Sequence, residues 1–518
     1  MAQRVNLDAM IPRADFATQE NHDFTMQLFK DFPISLLEEA APIRALLRKP
    51  DFQRETNHWS PAQIATFIES FLDNQLIPSL ILWKSPNHIF VIDGGHRLSA
   101  LRAWMADDYG DGAVSLQFYG GDISDDQRKI AKKTRNLIER KIGRYTSLKA
   151  QIGSNTADSA IISRANNLVT RALDLQWVQG NAEVAETSFF NINRQGTPLD
   201  DVETMLIQNR NKPVAIASRA ILRSGSGHKY WSKFPSNRQA QIESLATDLH
   251  ELLFDPEAET PIRTLDLPLG GSVSPVNALA ILIDFILIAS SPQNGYRQIA
   301  DDEEDLDGNE TVRALTLAKD VARRFVGNDS ASLGLHPAVY FYNERGVHSR
   351  HLFLGMVRLL TEKVRNNDSH FFKTFTDVRE KLEAFLIANK SIISRSFAYT
   401  NREARVLRVR DLLASLITKL SENAEPTIED VFKAIGVQGR ILDIQAVSTK
   451  TAFSDDTKAA VYVKASLGQA LKCPICNGLL YPKKSVSFDH KIRVRDDGKG
   501  DVENAQMTHP YCNSSIKN

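Results

Sequence analysis

The apolar positions of residues 60 to 76 recur at helical spacing. Ile64, Phe67, Ile68 and Phe71 share one face, with Ser60 placed as N-cap and Pro61 in the first turn. Two short apolar runs follow, "SLILW" and "HIFVI", around the turn "KSPN", and they predict two strands. The second runs into "DGGHR", after which "LSALRAWM" regains helical spacing. The stretch "RKIAKKTRNLIERKIGR" (128 to 144) is helical and carries eight Lys or Arg against one Glu. In "FFNINRQGTPLDDVETM", Thr197, Pro198 and Asp200 read as a helix start with a capping box. From about 210 to 440 the pattern is almost wholly helical, with segments near 276–290, 310–326, 350–365, 371–390 and 403–420. The acidic run "DDEEDLDGNE" (301 to 310) reads as a solvated loop, and "STKTAFSDDTK" (448 to 458) as a linker into a small last domain.

Length changes this picture first. A chain of 518 residues holds two to four domains, because single cores rarely grow beyond roughly 250 to 300 residues. The expected division is 1–215, 216–447 and 448–518. The most apolar run, "VNALAILIDFILIAS" (276 to 290), is too short for a bilayer and contains Asp284, so it predicts a buried helix and no membrane partner. The N-terminal stretch lacks the basic-then-apolar pattern of a signal peptide. Three cysteines, all near the C-terminus, argue against a secreted disulfide scaffold. The expected location is the cytoplasm. Basic and acidic residues balance at 63 each, so any nucleic-acid surface has to be a local patch.

The chemistry concentrates in "CPICNGLLYPKKSVSFDHKIRVRDDGKGDVENAQMTHPYCNSSIKN" (473 to 518). Cys473 and Cys476 form a Cys-x2-Cys knuckle, and His509 and Cys512 have the same spacing. Four such ligands make a tetrahedral zinc site, and a structural metal is the usual remedy for a segment too small to bury a core. Between the knuckles, "SVSFDH" predicts a strand ending in Asp489 and His490, "DDGKGD" a turn, and Asn504 follows; Asn513 comes directly after Cys512. Asp and Asn oxygens suit a hard divalent ion, and a neighbouring neutral His can take a proton from water attacking a phosphate. Lys483, Lys484, Lys491, Arg493, Arg495 and Lys499 crowd the same segment, as phosphate contacts or as ordinary solvated side chains.

These residues resemble the HNH (ββα-metal) nucleases, whose pattern is a knuckle, "DH" on the first strand, a central Asn, and a second knuckle followed by Asn or His. The resemblance implies His490 as general base, Asn504 as the group holding its imidazole, and Asp489 with Asn513 as ligands of a catalytic Mg²⁺ or Mn²⁺. Cys473, Cys476, His509 and Cys512 become a structural Zn²⁺ site, with His509 where these members usually carry cysteine. Asn at the last position makes it the HNN subtype.

A second constellation lies at "VIDGGHRLSAL" (91 to 101). Gly94 and Gly95 permit a tight strand-to-helix turn and expose N–H groups to an anion, Arg97 offers a bidentate phosphate contact, and Asp93 can hold a metal, a water or the arginine itself. With "FFNINRQGTPLDDVE" further on, residues 60 to 210 resemble the ParB/sulfiredoxin-like domain of GmrSD- and SspE-type restriction systems, which carries "DGQQR" after the strand. That resemblance implies nucleotide binding or hydrolysis, or sensing of modified DNA, at Asp93, Gly94, Gly95, His96, Arg97, Asn193 and Arg194. A nucleoside triphosphate is then a candidate cofactor. Gly95 and His96 replace the two glutamines, and an amide able to orient a water is thereby missing.

The expected fold is α+β multidomain: a ParB-like α/β N-terminal domain, an all-α middle domain and a small zinc-stapled ββα-metal domain. The expected function is a metal-dependent DNA endonuclease of prokaryotic anti-phage defence, gated by its N-terminal domain and acting on foreign or modified DNA. A homo-oligomer is a candidate assembly. The alternative is a non-cleaving DNA-binding regulator with a structural zinc module. The helix 128 to 144 is a candidate lining for the DNA path, and "NREARVLRVR" (401 to 410) places Arg402, Arg405 and Arg408 three apart, along one helical face.

Overall fold

The computed structural model describes residues 4–14, 16, 29–50, 53, 56, 59–119, 121, 123, 125–195, 201–226, 228–254, 275–291, 298–439 and 455–517. The chain divides into two compact units, 1–210 with 226–230 and 211–225 with 231–518. Both are helix-rich, and each contains a sheet.

In the first unit six strands form one sheet: β1 (Arg13–Ala14), β2 (Asp31–Pro33), β3 (Leu47–Pro50), β4 (Leu80–Lys84), β5 (Ile89–Asp93) and β6 (Ala172–Trp177). Their order is β1-β3-β5-β4-β6-β2. The two strands read as "SLILW" and "HIFVI" pair antiparallel, while β3 on β5 and β6 on β4 run parallel. Strand alternation explains the unbroken apolar run of β5. Ile89 and Val91 enter the core built with Ile64, Ile68, Leu98 and Leu101, and Phe90 and Ile92 enter a second core with Phe16, Trp83 and Phe189. The helix Pro61–Leu72 starts as expected. Ser60 Oγ accepts from the Gln63 N–H, and the Gln63 side chain accepts in return from the Ser60 N–H. The basic stretch is helical over Asp125–Lys141 and packs on Pro61–Leu72. Thr197, Pro198 and Asp200 lie outside the described residues; a helix spans Asp201–Gln208.

The second unit contains the helices Pro275–Ser290, Asn309–Phe325, Arg350–Arg365, Ser369–Ala388 and Arg405–Ser421, close to the five expected segments. Asp284 of the apolar helix is paired with Arg350. Among the described residues no helix is long and apolar enough to cross a membrane. One reading holds in part and another needs correction. The acidic run is exposed at seven of its ten positions, but Asp302 and Asp305 are buried; the Asp305 carboxylate accepts from the N–H groups of Gly308 and Thr311 and from Thr311 Oγ1, which satisfies donors at the start of Asn309–Phe325. Arg402 stands in a turn before Arg405–Ser421, so the three arginines do not share one helical face. Of the expected linker, 448–454 lie outside the described residues, and Asp455 opens the helix Asp455–Gly468.

Helix Arg350–Arg365 crosses Arg405–Ser421 at Gly355. A Cβ there would overlap Val409 and lie 3.0 Å from the Val406 carbonyl oxygen. Alanine gains up to about 1 kcal/mol of helix propensity, but overpacking a closed core costs about 1–3 kcal/mol. The clash wins: Gly355→Ala should lower the thermal midpoint, and an unchanged or raised midpoint would show that the crossing relaxes freely.

Lys390 is buried, its ammonium donating to the Val339 and Tyr342 carbonyls at 2.8 Å each, and burial pushes its pKa down to about 7. Below that pH the amine is charged in both folded and unfolded chains, so the cost of burying it is fully present. From about pH 7 towards the ordinary lysine value of about 10.4, the unfolded chain holds the extra proton and stability rises with pH. Lys390→Met should flatten that rise, read from denaturant midpoints between pH 7 and 10; an identical slope in both proteins would assign it to another group.

Candidate metal centre and nuclease site

In the last segment β7 (Ser487–His490) and β8 (Ala505–Thr508) pair antiparallel, with Asp489 opposite Gln506 and His490 opposite Ala505. Strand β8 delivers His509, and the π-helical turn Cys512–Ile516 delivers Cys512. The knuckle Cys473–Cys476 closes by hydrogen bonds from the Cys473 N–H to the Gly478 oxygen (2.9 Å) and from the Asn477 N–H to the Cys473 oxygen (2.8 Å). One donor atom from each of Cys473, Cys476, His509 and Cys512 lies within 4.8 Å of all the others.

The histidine tautomer follows from its partners. His509 Nε2 is 3.0 Å from the Leu479 carbonyl oxygen, to which it donates, leaving the Nδ1 lone pair 3.3 Å from Cys476 Sγ and 3.8 Å from Cys512 Sγ. A backbone carbonyl on the far nitrogen is the support that metal-bound histidines commonly have. Burial, and next the Arg379 guanidinium, lower the His509 pKa and keep the ring neutral. Hydrogen bonds with Cys476 and Cys512 pull the Cys473 thiol far down, while its bond to Cys473 pushes Cys476 up to about 11. Three thiols this close cannot all ionise without a cation among them. The four residues can hold a metal ion, and the donor set is that of zinc.

The segment is built into its unit. Arg379, fully buried on helix Ser369–Ala388, donates to the carbonyls of Leu333, Gly334 and Leu479 and pairs with Glu383 at 2.7 Å. Glu383 accepts in addition from the Leu479 N–H (2.6 Å) and the Tyr340 hydroxyl (3.0 Å). Further bonds join Gly327 to Ser485 Oγ, Val486 to Asn328 and Tyr511 to the Ser332 oxygen.

Beside the metal group stand the other expected residues. Asp489 Oδ2 accepts from Gln506 Nε2 (2.8 Å) and from the Lys517 ammonium (2.7 Å), which also bonds the His490 oxygen. Asn513 Nδ2 donates to Ser487 Oγ (2.8 Å) and to the Phe488 oxygen (3.3 Å), so Asn513 and Asp489 are both tied around β7. Asn504 is placed differently from the expectation. Its amide accepts from the Ile492 N–H (2.6 Å) and donates to the oxygens of Ile492 and Lys499, so it closes the loop after β7 rather than gripping the His490 imidazole. An asparagine amide has one acceptor oxygen and two N–H groups, and the loop backbone uses both kinds.

At the N-terminal constellation β5 ends in Asp93, and the helix Gly95–Ala106 begins after Gly94. Gly94 has φ +98°, and a Cβ there would overlap the Leu80 side chain, so only glycine turns the chain at this point. Asp93 Oδ2 is bound by Arg97 Nη2 at 2.7 Å, and the same nitrogen reaches the Ser79 oxygen at 3.2 Å. The carboxylate thus holds the arginine, one of the three roles open to it from the sequence. His96 stacks on Trp59 with centroids 5.6 Å apart. Asn193 and Arg194 lie on helix Ala182–Gln195, which packs on β5; their side chains lie outside the described residues.

The model of the GmrSD restriction endonuclease N-terminal domain family matches residues 36–210. Residues 36–210 form a GmrSD-like N-terminal domain. No curated protein and no solved structure matches the chain. The family is that of a restriction endonuclease, which points to a nuclease of defence type with DNA as its substrate. The match begins earlier than the resemblance at 60 to 210 and takes in Gln53, which the sequence did not single out. The Gln53 amide lies 3.6 Å from where a Gly95 Cβ would stand. Gln53 Oε1 and Arg97 Nε are buried without a hydrogen-bond partner among the described residues. These two atoms, an acceptor and a donor, lie at the "DGGHR" turn.

Proposed function

We propose that the chain is an HNH-type, metal-dependent DNA endonuclease of a prokaryotic restriction or anti-phage system, with its GmrSD-like domain sensing a nucleotide or modified DNA. The observation that carries this reading is the Cys3His group clamping a ββ turn that bears Asp489 and His490, with Asn513 directly after the last ligand, in a chain whose N-terminal part matches a restriction family. In this reading the zinc group is structural. His490 takes the proton from the attacking water, and Asp489 and Asn513 offer oxygens to Mg²⁺ or Mn²⁺. When bound, that ion supplies charge stabilisation at the phosphate and the leaving oxygen. Asn504 positions His490 through the loop backbone. The gating role rests on the unpartnered Gln53 and Arg97 atoms beside Gly94 and Gly95; nucleoside triphosphate is the ligand class with donors, acceptors and phosphates to meet them.

One observation favours the second reading, a DNA-binding regulator that does not cut: the Lys517 ammonium occupies the Asp489 carboxylate that a catalytic ion would need. The deciding experiment is cleavage of modified and unmodified plasmid and phage DNA in Mg²⁺ or Mn²⁺, with and without nucleotide. Cleavage dependent on divalent metal supports the nuclease. DNA binding with retained zinc and no cleavage under any of these conditions would promote the regulator.

A further inference from the structure

We infer that the outward face of helix Asp125–Lys141 is a docking surface for the phosphate backbone of duplex DNA. The inference rests on the reading that DNA is the substrate, and it names the surface that holds it. One side of this helix is committed to the core: Ala131, Thr134 and Ile138 are buried, and the helix packs on Pro61–Leu72. At 100° per residue, Lys129, Lys132, Lys133, Asn136 and Arg140 fall within an arc of about 100° centred opposite that side, and all five are exposed. They extend over 11 residue steps, on the order of 16 Å of helix at 1.5 Å per residue, the axial rise of about five phosphates on one strand.

Three nearby acids are paired with arginines outside that arc. Arg135, on the flank of the helix, holds Asp107 (2.9 Å) and Asp111 (2.7 Å), and Arg144 pairs with Glu139 at 2.5 Å. No ion pair engages Lys132 or Arg140 among the described residues. A chain with zero formal net charge therefore presents on this arc four cations against one acid, Asp125, at the first position of the helix. Long flexible lysines around an asparagine form a surface that follows a regular array of phosphates and carries no base readout. A sequence-independent grip of this kind suits a protein whose discrimination is made elsewhere.

The test uses the full chain carrying His490→Ala, so that DNA stays intact, with fluorescence anisotropy on a duplex of about 30 base pairs across a salt series. Lys132→Gln/Lys133→Gln/Arg140→Gln should weaken binding at least roughly tenfold. It should also reduce the slope of log affinity against log salt by about 2.7, since each lost phosphate contact removes about 0.9. The same neutralisation at Arg313, Arg323 and Lys381, exposed in the other unit, should change neither quantity. Unchanged affinity and slope in the first triple variant, with binding and metal-dependent cleavage by the unmutated chain, overturns the docking surface alone. Absence of any DNA binding by the chain overturns the nuclease reading with it. Tighter binding of single-stranded RNA than of duplex DNA, lost in the same variant, keeps the surface as a phosphate site and overturns duplex DNA as its occupant.

Discussion

Replacing His490 by alanine should lower the rate of metal-dependent DNA cleavage by roughly 10²- to 10⁴-fold, the range supplied by a positioned general base. That is about 2.7–5.5 kcal/mol of transition-state stabilisation. The structure makes the substitution informative because His490 carries little else. It sits at the end of β7, and the loop beyond it is closed by Asn504 through Ile492 and Lys499, contacts that do not pass through the imidazole. Zinc content, thermal midpoint and DNA affinity should therefore stay within error of the parent protein. Added imidazole should restore part of the rate in the alanine variant, since a free base can enter the space left by the ring. Undiminished cleavage in His490→Ala would remove the histidine from the reaction. A fall in cleavage accompanied by equal loss of zinc or DNA binding would make its role structural.

The second large effect is expected from the metal group. Chelation, or Cys512→Ser, should release the metal and unfold the segment that holds β7 and β8. Its core consists of little beyond Cys473, Cys512, Leu480 and their neighbours. Structural zinc contributes about 10–16 kcal/mol of apparent binding free energy in small zinc modules, far more than so small an apolar cluster. The loss should not stop at the segment. Arg379 and Glu383 are buried against Leu479, and exposing one side of that network leaves a buried ion pair with part of its hydrogen bonds gone, a cost of several kcal/mol. Hydrogen exchange should accordingly rise in β7, in β8 and in the middle of helix Ser369–Ala388, while the sheet of the first unit stays protected. Cleavage should be abolished, and restoring Zn²⁺ before Mg²⁺ should recover it. Unchanged protection of β7 and β8 in metal-free protein would mean that the segment folds without a metal.

Both predictions rest on features legible at different levels. The four residues able to hold a metal ion could be read from the sequence because thiols and imidazole at x2 spacing report a local backbone turn, and four of them match one coordination shell. The helix Pro61–Leu72 with its Ser60 cap, the hairpin of β4 and β5, and the five long helices of the second unit were legible for the same reason. Each is written in side-chain periodicity over one or two turns of chain.

What covers those elements is not written locally. Arg379 and Glu383 look like an ordinary solvent-facing i, i+4 pair; packing against the knuckle nearly a hundred residues later makes them a buried clamp. Asp305 looks like one acid among many until the fold closes over it. Asn504 sits where an imidazole partner was expected, but the length and path of the loop decide which acceptors its amide meets. Gln53 lies about forty residues before Gly95, and parallel strands bring them together. The sequence by itself determined the kinds of element, the four Cys and His able to hold a metal ion and the candidate residues for chemistry, because these depend on residue type and short-range spacing. Only the tertiary structure decided which of those residues are partnered and which are buried with a polar atom unsatisfied, because burial and hydrogen-bond satisfaction depend on chain segments far apart in sequence.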